Sequence, residues 1–208
     1  MREKAADDPG TRRFAEVIGR NAEQLLRLVG DLLFLSRMRS GQLALAFRST
    51  NLAQIAAEAV AEAKPDAEVK QINLTLSNSP VTPFAADPAR IRQLAGTLVS
   101  NAVKFTGEGG TVEVSVGTTD GQAVLTVTDT GLGIPAADLE RIFDRFYRTA
   151  AATRQWFPGT GLGLAIARAI VDAHDGIIRV DSAEGRGSAF TVYLPLRPVA
   201  DAAPANGP

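Results

Sequence analysis

The sequence predicts an α+β fold, in which a mixed, largely antiparallel sheet is covered on one face by helices to form a two-layer α/β sandwich. Two observations indicate this fold. Residues 112–117 and 123–129 alternate as strands on either side of a turn at Asp120-Gly121. Residues 87–106 and 162–173 instead repeat apolar residues with helical spacing. A chain with both kinds of element is typical of a sheet with helices segregated to one face.

A long helix over residues 11–39 is predicted to precede the sandwich and to join a dimeric helical bundle. Its apolar residues recur by fours and threes, the 3.5-residue period of a helix seam that meets other helices. The seam consists of Phe14, Ile18, Leu25, Leu28, Leu32 and Leu35, with Asn21 in the same line. One such helix cannot bury its apolar face alone, so we expect a homodimer. Asn21 either fixes the register of the seam or faces solvent.

The remaining elements follow from shorter patterns. We expect a strand at 43–47, a helix capped by Asn51 and ending before Pro65, and strands at 72–77 and 81–86. A short helix at 136–143, a non-periodic segment at 148–158 and strands at 177–182 and 188–194 complete the prediction. The predicted organisation is a disordered N-terminus (1–10), the long helix (11–40), one domain (41–196) and a disordered tail (197–208).

Composition excludes several classes of function. The 208-residue chain has a formal net charge of −1, which does not favour nucleic acid or an anionic membrane as a partner. It has no cysteine, which excludes disulfides and thiolate metal sites. No apolar run reaches the roughly 20 residues of a membrane helix. We therefore expect a cytoplasmic chain without a membrane segment of its own, either independent or the cytoplasmic part of a membrane-anchored protein.

The predicted helix 87–106 combines an apolar face with a polar stripe. Asp87 and Pro88 suit its N-cap and first position. Thr97, Asn101 and Lys104 fall on one stripe, one turn apart. An amide oxygen beside an ammonium group suits a hard cation and the phosphates that it bridges. A solvated helix face explains Asn101 and Lys104 equally well.

Two glycine-rich turns follow this helix. The first is DTGLGIP, where Asp129 ends a strand before Gly131 and Gly133. A carboxylate there can accept a hydrogen bond from an exocyclic amine, and glycine lets a flat ring approach the backbone. The second is GTGLGL (159–164), which opens a helix and offers free N–H groups to phosphate. Alone, the second motif is weak, because glycine turns that open helices are common.

The order and spacing of four motifs are more specific than any one of them. NAVKFT, DTGLGIP, FDRFYR and GTGLGL resemble the N, G1, F and G2 boxes of the ATP-binding catalytic domain of sensor histidine kinases. That fold is shared with gyrase and the mismatch-repair ATPases. The sequence GRGS followed by FTVYLPL resembles the closing glycine turn and last strand of the same family. The resemblance covers about residues 11–196.

The resemblance implies a role for individual residues in binding ATP and Mg²⁺. Asp129 would bind the adenine amine, in a pocket shaped by Gly131 and Gly133. Asn101 would coordinate Mg²⁺, and Lys104 would meet the phosphates. The remaining nucleotide contacts would come from Phe105, Arg148, Gly161, Leu162 and Gly163.

Some of these implied contacts have alternatives. Phe105 would lie against the nucleotide or complete the apolar core, and Arg148 would reach the β- and γ-phosphates or remain solvated. Phe143 and Phe146 would pack the base of the ATP lid or contact the helical bundle. Trp156 would cover the nucleotide or dock on that bundle.

The family's phosphoacceptor histidine has no counterpart in the motifs. Residues 11–39 resemble the second helix of the dimerisation and phosphoacceptor hairpin, whereas the first helix carries the phosphorylated histidine. We therefore expect that histidine on a missing segment or another chain. His174 ends the helix that follows the G2 box, where a capping or packing role is expected.

Three functions follow from these features. The chain is expected to be the catalytic core of a two-component sensor kinase, with a response regulator receiver domain as a further partner. A serine kinase of the anti-sigma-factor type is an alternative, against which the heptad helix argues. A nucleotide-binding dimerisation fragment without kinase activity is the third.

Thr97 predicts slow ATP hydrolysis by the isolated chain. Many histidine kinases have asparagine at the matching position, and gyrase-like ATPases have glutamate as the base that activates water. Because a threonine hydroxyl does not take a proton near neutral pH, we expect ATP binding with little turnover, measured as phosphate release. Fast basal release that Asp129→Asn abolishes would contradict this expectation.

Overall fold

The computed structural model of the protein describes residues 18–19, 22, 25–26, 28–36, 38, 45–154, 157 and 159–198. The chain divides into two compact units, Met1–Leu43 and Ala44–Pro208. The segments predicted to be disordered lie outside the described residues, except for positions 197 and 198. Among the described residues, no helix combines the length and hydrophobicity needed to cross a bilayer.

The first unit contains the predicted long helix. All of its described residues, between positions 18 and 38, are helical. The seam residues Ile18, Leu25 and Leu32 are 67%, 62% and 44% exposed. Phe14 and Asn21 lie outside the described residues. Leu35, at the C-terminal end of the seam, is instead 3% exposed. Exposed seam residues are typical of a helix that packs against another helix, and dimerisation stays a prediction.

The second unit has the predicted α+β architecture. Its elements in chain order are β1 (Arg48–Thr50), α1 (Leu52–Val69), β2 (Asn73–Asn78), β3 (Phe84–Ala86), α2 (Pro88–Phe105), β4 (Thr111–Thr119), β5 (Gln122–Asp129), a 3₁₀ turn (Ala136–Asp138), α3 (Ala150–Arg154), α4 (Gly163–Ala173), β6 (Ile177–Ser182) and β7 (Ser188–Pro195). A five-stranded sheet has the order β2-β4-β5-β7-β6, and β1 pairs with β3. The β2–β4 pair is parallel and the other pairs are antiparallel.

One face of the sheet is buried, as its alternating pattern predicts. Along β5, every second residue from Ala123 to Asp129 is buried. The register places Asp129 opposite Val112 of β4 and Ser188 of β7. The strand period therefore turns the Asp129 carboxylate toward the interior, at the end of an otherwise apolar row.

Three helices cover this buried face. Helix α2 packs between α1 and α4, and the three helices contact β2, β4, β5 and β6 between them. The predicted apolar face of α2 is confirmed, because Ile91, Leu94 and Leu98 are at most 2% exposed. The hairpin turn is also confirmed, with positive φ angles of 48° at Asp120 and 73° at Gly121.

Three predicted boundaries in the first half of this unit are wrong. Helix α1 continues through Pro65 to Val69, because Ala67 remains buried on the same face and offsets the lost hydrogen bond. Residues 45–47 are not a strand; the Ala46 N–H instead donates to the Asp87 carboxylate at 3.0 Å, and the strand begins at Arg48. The strand predicted at 81–86 covers only Phe84–Ala86, since Pro83 has no N–H for pairing.

Two predictions near the lid are also wrong in extent. The helix expected at 136–143 is a short 3₁₀ turn at Ala136–Asp138 followed by further turns. The segment 148–158, expected to lack regular structure, contains the helix Ala150–Arg154. Thr149 is the signal that sequence reasoning missed, because its hydroxyl oxygen accepts the Ala152 N–H at 3.2 Å as helix-capping residues do.

Asp87 joins three segments at the start of α2. Its Oδ1 accepts the N–H groups of Ala89 and Arg90 at 3.1 and 3.2 Å, as predicted for the N-cap. Its own N–H donates to Nε2 of His174 at 3.0 Å, and Nδ1 of that histidine lies 2.8 Å from the Ile170 carbonyl. His174 is 3% exposed, which confirms a packing role.

His174 predicts a loss of stability at mildly acidic pH. Burial lowers the pKa of His174 below its usual 6.5, although the Ile170 carbonyl and Asp87 oppose the shift. Between pH 6.5 and the lower pKa of the folded state, the unfolded chain binds a proton that the folded chain does not. The free energy of unfolding therefore falls as the pH falls through this range. Denaturant unfolding between pH 8 and 5.5 should show a steeper loss for the wild type than for His174→Gln, whose amide also donates and accepts. Equal slopes for the two proteins would contradict the assignment.

Candidate functional site

A cavity of ≈ 790 Å³, including its open mouth, lies where the C-terminal end of α2 meets β5, β7 and the segment between β5 and α4. Seven of the predicted nucleotide contacts line it: Asn101, Lys104, Phe105, Asp129, Gly133, Arg148 and Gly161. The four motifs of the sequence therefore meet at one cavity.

The α2 side of the cavity carries a positive charge that is partly removed from water. Lys104 Nζ lies 4.5 Å from the centroid of the Phe105 ring, and Phe105 contacts the Phe157 ring edge-on at 5.1 Å. Burial lowers the pKa of Lys104, and the positive charges of Arg148 and Lys70 lower it further. A cluster of desolvated cations favours an anionic ligand.

The opposite side of the cavity carries one buried carboxylate. Asp129 is 7% exposed, and its Oδ1 accepts the Gly131 N–H at 2.8 Å. Burial raises the pKa of Asp129, while hydrogen bonds from the backbone of Gly131 and Ser188 oppose that shift. Because a carboxylate can accept about four hydrogen bonds, it retains capacity for a donor on a ligand.

Glycine is required where two loops approach other backbone segments. A Cβ at Gly131 would meet the backbone of Phe105, including its carbonyl carbon at 2.8 Å. Gly161 has φ of +74°, and a Cβ there would meet Phe146 and Tyr147 backbone atoms at 2.7 and 2.8 Å. Gly131 therefore lets the turn after β5 pack against the end of α2, and Gly161 lets the second glycine-rich turn pack against the F box. Their predicted roles, approach of a flat ring and N–H groups for phosphate, stay predictions.

Arg148 lies at the lid side of the cavity and holds the lid backbone. Its Nη2 donates to the carbonyls of Ala152 at 2.9 Å and Phe157 at 2.6 Å. This side chain is therefore bonded within the lid rather than solvated. Its predicted contact with phosphates stays a prediction, and Trp156 lies outside the described residues.

Three predicted contacts do not line the cavity: Gly131, Leu162 and Gly163. Gly131 acts through its hydrogen bond to Asp129. Leu162 is fully buried, and its N–H donates to the Thr160 hydroxyl at 3.3 Å. A Cβ at Gly163 would lie 3.2 Å from Cγ2 of Thr97, so this glycine lets α4 begin close to α2.

The remaining predicted residues lie beside the cavity. Thr97 donates its hydroxyl to the Gln93 carbonyl at 2.8 Å, a helix-internal bond that leaves no basic group at this position. Phe143 packs under the Arg168 guanidinium at 5.3 Å. Phe146 is 57% exposed and has a positive φ of 64°, so it presents an apolar surface at the F box.

Several lining residues were not predicted as nucleotide contacts: most of them lie within or next to the four motifs, and others are brought in by long-range pairing. They are Ala102, Leu132, Ile134, Ile142, Tyr147, Thr149, Ala152, Gly159, Leu164, Ser188 and Phe190. Ser188 illustrates the reason, because it reaches the site only through the β5–β7 register that places it opposite Asp129. The alternation of β7 predicts which of its residues face inward, but not which residue of β5 each one meets.

Comparison with known proteins agrees with this site. Residues 86–198 match the family of histidine kinase-, DNA gyrase B-, and HSP90-like ATPases. The circadian input-output histidine kinase CikA of Synechococcus elongatus is 38% identical over 187 residues, which cover 88% of this chain and 25% of that protein. The sensor histidine kinase RcsC of Escherichia coli is 35% identical over 189 residues, with 90% and 20% covered.

Solved structures show the same likeness. Full-length ShkA in complex with AMPPNP superposes with a TM-score of 0.81 at 28% identity, over 93% of this chain and 40% of that one. The nucleotide-free catalytic domain of the histidine kinase ThkA gives a TM-score of 0.65 at 29% identity, over 74% and 98%.

The matches cover most of this chain but only a small part of each relative. The chain spans a quarter of CikA and a fifth of RcsC. Because these relatives are named histidine kinases, the serine kinase alternative is not favoured. The family match over more than half of the chain, together with the four motifs around one cavity, shows that this chain belongs to the histidine kinase-, DNA gyrase B-, and HSP90-like ATPases and carries the ATP-binding catalytic core of a sensor histidine kinase.

Proposed function

We propose that this chain presents Mg²⁺-ATP for transfer of the γ-phosphoryl group to a histidine on a segment or chain outside this sequence. One observation carries the proposal: a buried carboxylate, Asp129, and two half-buried cations, Lys104 and Arg148, line the same cavity. A nucleotide joins a purine base to a polyphosphate, so its base can bond to the carboxylate while its phosphates pair with the cations. The complex of full-length ShkA with AMPPNP supports this choice of ligand.

The carboxylate end of the cavity recognises the base. Asp129 accepts the exocyclic amine of adenine, since Gly131 and Ser188 hold the carboxylate in place and leave acceptor sites free. Apolar side chains such as Leu132, Ile134 and Phe190 line the same cavity and suit a flat ring.

The cationic end binds the phosphates. Lys104 supplies a charge that burial has already stripped of part of its water, so pairing it with a phosphate costs little further desolvation. Asn101 supplies an amide oxygen, the hard donor that Mg²⁺ prefers. Within the described residues, no group of three or more His, Asp or Glu side chains could hold a metal. Asn101 is the side chain that would hold Mg²⁺, and the cation would neutralise part of the charge of the nucleotide.

Phosphoryl transfer requires mainly positioning and charge neutralisation. The unprotonated ring nitrogen of the incoming histidine forms a bond to the γ-phosphorus as the bond to the bridging oxygen breaks and ADP leaves with that electron pair, and the other ring nitrogen then releases its proton to water. Lys104 stabilises the phosphate charge during this exchange. Arg148 does so once the nucleotide replaces the carbonyls of Ala152 and Phe157 as its acceptor.

The partners follow from the same proposal. The helix over residues 11–39 pairs with a second copy to form a homodimeric bundle, which brings the histidine-bearing helix to the cavity. A response regulator receiver domain accepts the phosphoryl group in the next step. We propose that these events take place in the cytoplasm.

A transfer assay tests the proposal. The purified chain is mixed with a histidine-bearing helical hairpin and ATP labelled at the γ-phosphate, and we expect acid-labile phosphate on the hairpin. Asp129→Asn should reduce labelling by at least about tenfold, because the adenine acceptor is changed. Asp181→Asn, at an exposed position of β6, is the matched control and should label normally.

The other outcomes decide between the remaining functions. Acid-stable phosphoserine on a partner would favour the serine kinase. A folded chain that binds ATP without any transfer would favour the dimerisation fragment.

A further inference from the structure

Lys70 closes the C-terminal end of α2 from a different part of the chain. It directly follows α1, and its ammonium donates to three carbonyls. These are the carbonyls of Val103 at 2.9 Å, Lys104 at 2.7 Å and Thr106 at 3.0 Å. An ammonium group has three N–H donors, so all of them are used. Lys70 therefore binds backbone and leaves no donor for a ligand.

The other carbonyls at this helix end are also satisfied. The last four carbonyls of a helix have no partner within it. The Ala102 carbonyl accepts the N–H and the hydroxyl of Thr106 at 3.1 and 2.7 Å. The Phe105 carbonyl accepts the Leu132 N–H at 3.3 Å. Every carbonyl from 102 to 106 is thus bonded, three of them by Lys70.

Removing the Lys70 ammonium from water costs free energy, which indicates that this charge has a specific function. Burial lowers the pKa of Lys70, and only Asp66 opposes that shift. The negative end of the α2 dipole and the three carbonyls compensate for the lost water. The Lys70 carbonyl also accepts the Gly109 N–H at 3.0 Å, so the same residue holds the loop that follows α2.

We propose that Lys70 is a positioning residue for the nucleotide site, an inference that rests on the proposed function. The backbone that Lys70 binds carries Lys104 and Phe105, and both line the cavity. The Phe105 carbonyl in turn holds Leu132, in the loop that follows Asp129. Lys70 therefore sets the distance between the phosphate end and the adenine end of the cavity.

Two substitutions separate positioning from charge. Lys70→Met keeps most of the stem and removes the donors. Lys70→Arg keeps the positive charge, but its planar guanidinium cannot converge on three carbonyls in the same way. Lys64→Met is the matched control, because Lys64 lies on α1 with its side chain 68% exposed and pairs with the equally exposed Glu68.

The measurement is the Kd of AMPPNP with Mg²⁺, and of adenosine, by calorimetry at a temperature where circular dichroism shows each variant to be folded. We expect both Lys70 variants to bind AMPPNP roughly tenfold more weakly, as with other residues that orient direct ligands. The loss for adenosine should be smaller, and Lys64→Met should match the wild type.

Several results would overturn this inference. If Lys70→Arg binds AMPPNP normally, the positive charge of Lys70 is enough to explain its role. If both variants bind AMPPNP normally, Lys70 contributes only to the stability of the domain. Equal losses for AMPPNP and adenosine would indicate general loosening of the domain. If Lys70→Met does not fold, Lys70→Arg decides. Failure of the wild type to bind AMPPNP would instead contradict the proposed function itself.

Discussion

Hydrogen bonds to other segments of the chain hold helix α2 at both ends, and the geometry of the site depends on that constraint. At its N-terminal end, Asp87 caps the helix and also bonds Ala46 and His174. At its C-terminal end, Lys70 binds three of the carbonyls that a helix cannot satisfy internally. A helix fixed in this way cannot slide along the sheet. Its polar stripe is therefore presented to the cavity in one register.

The sheet supplies the second half of the site through the alternation of its strands. The period of two that buries Leu125 and Val127 also turns Asp129 inward, at the point where β5 ends. The following loop returns to α2 through the bond between Leu132 and Phe105. The carboxylate of Asp129 and the ammonium of Lys104 thus reach one cavity from adjacent elements of one core, and neither requires a dedicated loop.

Local patterns were enough to predict the elements that shape this site. The N-cap and apolar face of α2, the β4–β5 hairpin and the glycine turns are set by neighbouring residues, so the sequence reveals them. Contacts between distant segments are not visible in the same way. Lys70 is separated from the carbonyls it binds by more than 30 positions, and nothing in its local sequence predicts them. The predicted end of α1 before Pro65 was wrong for a similar reason. Burial of Ala67 in the folded domain outweighs the helical hydrogen bond that Pro65 removes.

The most direct test of this account is calorimetric titration of the folded chain with AMPPNP in the presence of Mg²⁺. The cavity predicts saturable binding of one nucleotide per chain. It also predicts that uptake weakens when Mg²⁺ is removed, because Asn101 then has no cation through which to hold the phosphates. Absence of heat and of saturation, with protein shown to be folded by circular dichroism, would contradict the assignment of the cavity to ATP.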